Sequence, residues 1–481
     1  MKYDMIVIGG GLGGLFAGAK LAKEGKKVLL VEQHDRPGGC ATTFNRKEFT
    51  LEVGLHEMDG LHTTDMKNRI FRDLGVNNNV TFLKVPEFYR FVNGKYDVVV
   101  SHNVNEVKEK LYRLFPNEKK GIDSYFYRIE NIKKIIKQER DKPERTVGEF
   151  MDSILTDEDL KLILLGNLGY YHDNPYELSL NYYSMAQNSY YQGGGNFIQG
   201  GSQVLSDYLM NFITEKGGTV LLKQMATEIL VENGTAVGIR YKSVKKSDSE
   251  IKTAYAGEII ANASIPQVAN QLISKEFGEA IKSEIKDLKP GPSLLTVYFG
   301  FNKKLSEIGN KNYSTFIYDK SVKNLSDISP NNHADFNERS FTFVDYSQID
   351  SQLVTGNRGV GAVCCNDYLV DWETLTREEY KQRKKEVATH FIKRLEKLLP
   401  GFKDAVEFYE VATAKTVQRY TLTPGGAVYG FAQTPARVKT VIQNPVKNLS
   451  FASAWSQTGG GYSGAIYSGY LCALDVLRRW R

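Results

Sequence analysis

The chain has 481 residues, 41% hydrophobic and 25% charged, a soluble globular composition too long for one hydrophobic core. Its 62 Lys+Arg against 56 Asp+Glu leave a net charge of +6, too small an excess to mark a nucleic-acid binder, though compatible with loose attraction to an anionic membrane surface. Its four cysteines, Cys40, Cys364, Cys365 and Cys472, form no CxxC pair, and adjacent cysteines rarely bridge; this speaks against a disulfide framework or a metal site and for a reducing compartment.

The first residues run straight into an apolar stretch, without a leader or cleavage site. Met5-Ile6-Val7-Ile8 predicts a strand buried on both faces of a parallel sheet. Glycines follow, then Leu15, Phe16, Ala19 and Ala22 at helical spacing, with Gly25 closing the helix. Val28 to Val31 is the second strand. From about Val104 to Tyr191 the pattern is mainly helical, with one helix expected over Asn117 to Arg140. A further helix starts near Ser202 and ends at Gly217-Gly218. Strands are expected at Thr219 to Leu222, Ile229 to Val231 and Ala236 to Tyr241, the last two joined by a tight Asn233-Gly234 turn. Glu258 to Ala261 is another short strand. Leu294 to Phe301, Tyr313 to Tyr318 and Phe341 to Tyr346 suggest a second sheet, and Thr376 to Leu399 a long amphipathic helix. A strand at Asn448 to Ala452 and a helix after Gly464 close the chain. No apolar run approaches the about 18 residues that span a bilayer, so the expected location is cytoplasmic, or peripheral on the inner face of a membrane.

Gly9-Gly10-Gly11-Leu12-Gly13-Gly14 satisfies G-x-G-x-x-G at Gly9, Gly11 and Gly14. Gly9 permits the tight turn, Gly11 lets backbone amides approach a pyrophosphate, and Gly14 lets helix pack on strand. The positive helix end then faces the phosphates. Glu32 ends the second strand, where a carboxylate accepts hydrogen bonds from both ribose hydroxyls; Gln33 follows it. Strand, glycines, helix, strand and acid in register identify a dinucleotide site.

Arg36-Pro37-Gly38-Gly39-Cys40-Ala41-Thr42-Thr43 resembles the R-x-G-G-R-x-x-[ST] element of amine-oxidase-like flavoproteins, which marks FAD rather than NAD. Cys40 replaces the second Arg and is expected to be a small buried packing residue. Near the C-terminus a strand, a glycine loop and a helix start run through Ser453-Ala454 to Tyr462-Ser463-Gly464-Ala465. Such a helix start could set amides against the flavin pyrimidine.

With Val53-Gly54-Leu55-His56, Gly200-Gly201-Ser202, the block from Arg419-Tyr420-Thr421 to Pro424-Gly425-Gly426 and Tyr429-Gly430, these segments resemble the phytoene desaturase, carotenoid isomerase and retinol saturase group of FAD oxidoreductases. Ser453-Ala454 departs from the Gly-Asp common there. The resemblance implies an α/β fold: a discontinuous Rossmann-like FAD-binding domain of glutathione-reductase type (1–85, 190–265 and 410–481) with a mixed-sheet and helical substrate domain (86–189 and 266–409). It implies non-covalent FAD, with further contacts from Thr43, Leu55, His56 and Ala226. It implies hydride transfer at flavin N5 that makes, removes or isomerises a carbon–carbon double bond in a hydrophobic, polyene-like substrate. Oxygen, a quinone or a redox protein would exchange electrons with the flavin, because no second complete glycine fingerprint exists: Gly193-Gly194-Gly195 and Gly425-Gly426 both fall short.

His56 is the proton-transfer candidate by position, since His titrates near neutrality; hydrogen bonding to cofactor or backbone is the competing role. Arg419 and Tyr420 could line the pocket, or Arg419 could make a structural ion pair. His172 reads as structural. Tyr170, Tyr171, Tyr176, Tyr182, Tyr183, Tyr190 and Tyr191 either line a tunnel or pack helices. Lys133, Lys134 and Lys137, beside Ile132, Ile135 and Ile136, could dip into a membrane interface, although a solvated helix face accounts for them more simply. Two other readings stand: an amine oxidase, against which Tyr462 to Gly464 is one residue short of Gly-Tyr-x-x-Gly-Ala, and a non-catalytic flavoprotein binding an apolar pigment.

Overall fold

The computed structural model describes residues 2–245, 250–439 and 442–480. Lys2–Ile8 is the strand expected from its apolar run, and Val28–Val31 lies beside it in parallel, Ile6 opposite Leu29. Both sit in a seven-stranded sheet ordered Thr219–Leu221, Val28–Val31, Lys2–Ile8, Ile251–Ala261, Thr235–Ser243 and Gln224–Glu232, with Leu449–Phe451 also paired to Ile251–Ala261. The last two of the ordered strands form the expected hairpin, and Asn233 (φ 50°) and Gly234 (φ 73°) both occupy the left-handed region its turn requires.

The second sheet also has seven strands: Val406–Ala412, Ser293–Phe301, Gly359–Asp367, Phe341–Asp345, Ser314–Ile317, Tyr89–Val92 and Asp97–Val100. The helix Arg377–Leu398 covers one face, packing Val387, Phe391 and Leu395 with Leu295, Val297 and Phe299. A capping box between Thr376 and Glu379 starts that helix. The other face packs on the two-stranded sheet Thr43–Arg46 and Phe49–Glu52, whose Phe49 and Leu51 share a core with Tyr298, Val344 and Ala362.

Three expectations change. Asn117 to Arg140 is not one helix: Lys119–Glu130 and Ile132–Gln138 meet at a break at Asn131, whose amide bonds back to Tyr127 O at 2.9 Å. The C-terminal helix Gly461–Arg479 begins ahead of Gly464, because Gly460 and Gly461 already turn the chain into it. Val406–Ala412 runs across the 409/410 boundary and belongs to the second sheet, where it pairs with Ser293–Phe301.

Candidate functional site

The glycine fingerprint builds one wall of a cavity of about 2550 Å³. Gly9 sits at φ 93° and donates its N–H to Val31 O at 2.8 Å, which makes the turn off the first strand. Gly11 caps the helix Leu12–Lys23. A Cβ on Gly13 would lie 1.9 Å from Ala452 O, and one on Gly14 2.0 Å from Gly9 O, so both must be glycine for the helix to approach its neighbours. Gly14 packs behind the wall, while Gly9, Gly11, Leu12 and Gly13 line it. Asn262, which the sequence did not mark, bonds Gly9 O at 3.2 Å and lies under Gly11.

Glu32 is buried and lines the same cavity. Its carboxylate accepts from Gly10 N at 2.6 Å and His34 N at 2.8 Å, so it pins the glycine turn and retains lone pairs for a ligand hydroxyl. The second glycine element docks directly on the first: Gly38 N donates to Gly10 O at 2.7 Å, and Gly38 bridges Gly11. Arg36 donates to Thr43 O at 3.0 Å. Gln33, Gly39, Ala41, Thr43 and Ala226 all line the cavity. Cys40 is not a packing residue. It lies deep in the molecule but opens onto the cavity, and the thiol is pushed up by burial. All four cysteines are free.

The Val53 to His56 turn is held from behind by Glu52, another residue that sequence reasoning passed over. Its buried carboxylate accepts from Ser202 N and Oγ, both at 2.7 Å, and from the Gly54 and Leu55 amides. Leu55 therefore does not line the cavity as expected; it is wholly buried in the core with its N–H already taken. His56 does line the cavity. Its Nδ1 lies 3.1 Å from Tyr170 Oη, and Tyr313 Oη donates to its carbonyl. Burial pulls the imidazole down to about 4, so it is neutral at physiological pH rather than titrating there. The next residue, Glu57, is buried with neither carboxyl oxygen bonded among the described residues. Burial, then Glu87 and Asp59, hold that acid well above its ordinary range.

Ser453, Ala454, Tyr462, Ser463, Gly464 and Ala465 all reach the cavity, the last four from the first turn of the C-terminal helix. Ser463 Oγ donates to Asp59, which Lys67 holds at 2.9 Å. Burial would raise the Asp59 carboxyl, but the Lys67 cation and the hydrogen bonds from Lys67, Ser189 and Ser463 together hold it below its ordinary range. Arg419 and Tyr420 border the cavity. They are exposed, and Tyr420 O accepts from Gln33 Nε2 at 3.2 Å and lies 2.8 Å from His34 Nε2. That sets them beside the residues following Glu32.

The tyrosines divide. Tyr170, Tyr171, Tyr182 and Tyr190 line the cavity, whereas Tyr183 bonds Tyr125 in the helical core and Tyr176 bonds Asp152 at the surface. Ile132, Lys133 and Ile136 border the cavity together with Met185, which is 48% exposed. The incomplete glycine runs are structural: Gly193 ends the helix Leu180–Gly193, Gly195 opens a strand, and Pro424–Gly426 is a single turn. Among the described residues no His, Cys, Asp and Glu cluster is arranged for a metal, and no helix is long and apolar enough to cross a membrane.

The chain is similar over its length to known proteins. All-trans-retinol 13,14-reductase of Danio rerio is 25% identical, the match covering 99% of this chain and 86% of that protein. The chloroplastic prolycopene isomerase of Daucus carota is 26% identical, covering 99% and 80%. The cyclohexylamine oxidase structure from Brevibacterium oxydans superposes with a TM-score of 0.64 at 15% identity over 99% of each chain, a likeness of fold. The family model for flavin-containing amine oxidoreductases matches residues 12–477, and the chain belongs to that family.

Proposed function

We propose that this flavoprotein binds FAD non-covalently and makes, removes or isomerises carbon–carbon double bonds in a hydrophobic polyene. The observation that carries this is the cavity of about 2550 Å³, which runs from the glycine fingerprint to the face of the second sheet. Ordinary ligand pockets measure about 300–1,000 Å³, so a dinucleotide leaves ample space for a long second ligand between Tyr170, Tyr171, Phe316 and Tyr298. The relatives named for retinol and prolycopene support this choice over amine oxidation.

The segments of the first sheet hold the cofactor in this reading, and those of the second hold the substrate. Gly9, Gly11 and Gly13 give the backbone room for the pyrophosphate at a helix start. Glu32 takes the ribose, and the Tyr462 to Ala465 turn lies against the flavin. Bound flavin supplies hydride exchange with a substrate carbon at N5. Neutral His56, fixed by Tyr170 and Tyr313, orients the substrate or accepts a proton from it. The tyrosine wall excludes water. Ile136 and Met185, flanked by Lys133, suit a mouth resting on a membrane surface.

The test is anaerobic incubation of the protein loaded with oxidised FAD, and separately with FAD reduced beforehand by dithionite, with all-trans-retinol and with prolycopene, followed by chromatography and mass measurement. A product two hydrogens heavier or lighter, or a geometric isomer of unchanged mass, is expected. Rapid flavin bleaching by simple primary amines, with every polyene unchanged, would overturn the reading.

A further inference from the structure

We propose that the cavity ends in a binding site for a hydroxyl group on the substrate, formed by His172 and Asn366; this rests on the reading of the cavity as a polyene chamber. On the Gly359–Asp367 strand, Ala362 pairs with Tyr298 and Asn366 pairs with Leu294. Tyr298 donates to Val53 O at 3.1 Å, beside the loop that carries His56. At a rise of about 3.4 Å per residue, the Asn366 row lies about 14 Å further along the sheet. Between the two rows Cys364 is flanked by Thr296 and Thr342, short side chains that leave a trough.

At the far end of that trough, Asn366 is 5% and His172 3% exposed, and both line the cavity. Their orientation is set by a chain of hydrogen bonds. Asn332 Nδ2 donates to Asp173 O at 2.8 Å; a carbonyl can only accept, so Asn332 must present Oδ1 on its other side. Asn366 Nδ2 donates to that oxygen at 3.2 Å. Asn366 Oδ1 consequently points elsewhere, and it has no partner among the described residues. Asn174 N donates to His172 Nδ1 at 3.0 Å, which puts the ring proton on Nε2, and Nε2 also has no partner. The Asp173 carboxylate lies 3.0 Å from the same Nδ1; an imidazolium held by it would still present Nε2–H.

The site thus offers one donor and one acceptor, both buried and unused, where such groups are normally paired. A hydroxyl answers both: its oxygen accepts from His172 and its hydrogen goes to Asn366. A carboxylate or ketone has no hydrogen for Asn366, an ammonium has no lone pair for His172, and a hydrocarbon leaves both bare. Conjugated or long-chain alcohols are the ligand class that fits.

The experiment is a fluorescence titration of the FAD-loaded full-length protein with all-trans-retinol and with its methyl ether, which keeps the acceptor oxygen and loses the donor. The alcohol is expected to bind at least about tenfold more tightly. In Asn366→Leu that preference should shrink to about twofold or less while ether binding and FAD content persist, whereas His172→Phe should weaken alcohol and ether alike, with FAD content unchanged. Equal affinities in the unaltered protein overturn the hydroxyl site and leave the polyene reading standing. A preference that survives Asn366→Leu, or alcohol and ether affinities both unchanged in His172→Phe, overturns the assignment to these residues. Failure of alcohol, ether and a polyene hydrocarbon alike to bind overturns the reading of the cavity itself.

Discussion

Glu32 joins two jobs that sequence inspection separates. It lines the cavity, and it also holds the Gly10 and His34 amides. Glu32→Ala removes hydrogen bonds to a charged acceptor worth about 1.5–3 kcal/mol each and frees the glycine turn. FAD affinity is expected to fall tenfold or more; unchanged affinity in a flavin-fluorescence titration would remove Glu32 from the ribose. His56 carries a pH signature. Burial holds the imidazole at about 4, below its ordinary 6.5. The stability it contributes is therefore present above pH 6.5 and is lost as pH falls toward 4, by about 3 kcal/mol in all. Denaturant unfolding of wild type and His56→Gln across that window should show a shallower acid loss in the variant. Parallel curves would mean that the ring is already solvated.

The loop from Asp59 to Lys67 and the C-terminal helix depend on one buried cation. Lys67 has no exposed side-chain surface and holds Asp59 at 2.9 Å and Asp65 at 3.4 Å, while Tyr467 of the helix bonds Asp65. Lys67→Met strands two buried carboxylates, and removing one partner of such a pair costs about 3–5 kcal/mol. Chemical denaturation should register that loss, with flavin retention falling alongside it. No motif announces Lys67, since its spacing to Asp59 and Asp65 acquires meaning only when the loop closes. The glycine elements were legible because each serves a local steric need. The Gly359–Asp367 strand was not. Its Gly-Val-Gly-Ala-Val-Cys-Cys run has no alternation, since every residue is buried, and a Cβ on Gly361 would come within 2.9 Å of Val344 O. Small residues chosen for a close neighbour look like a loop. Leu55 misled for the opposite reason: it shares a motif with His56, yet the backbone turn sends it into the core.

For the molecule as a whole, the single complete fingerprint at Gly9 to Gly14 limits how electrons arrive. Anaerobic stopped-flow mixing with micromolar NADH or NADPH should reduce the flavin slowly or not at all, with a quinone, oxygen or a redox protein exchanging electrons instead. Full bleaching within about a second would show that nicotinamide reaches the flavin without a dinucleotide fold of its own. The distribution of the first sheet along the chain has a separate consequence for how the protein is made. Lys2–Ile8 and Leu449–Phe451 both pair with Ile251–Ala261, and Gly13 faces Ala452 and Gly469 at the crossing of the first and last helices. A ribosome releasing this chain delivers the Gly9 to Gly14 loop long before the strand and helix start that would face the flavin, with Ile251–Ala261 between them. Until then the Ile251–Ala261 strand has an open edge, the kind of surface on which nascent chains aggregate. The nascent protein must keep that edge covered from the release of Ile251–Ala261 until Leu449–Phe451 joins it, and cofactor capture in this reading waits for that later segment rather than for the glycine loop.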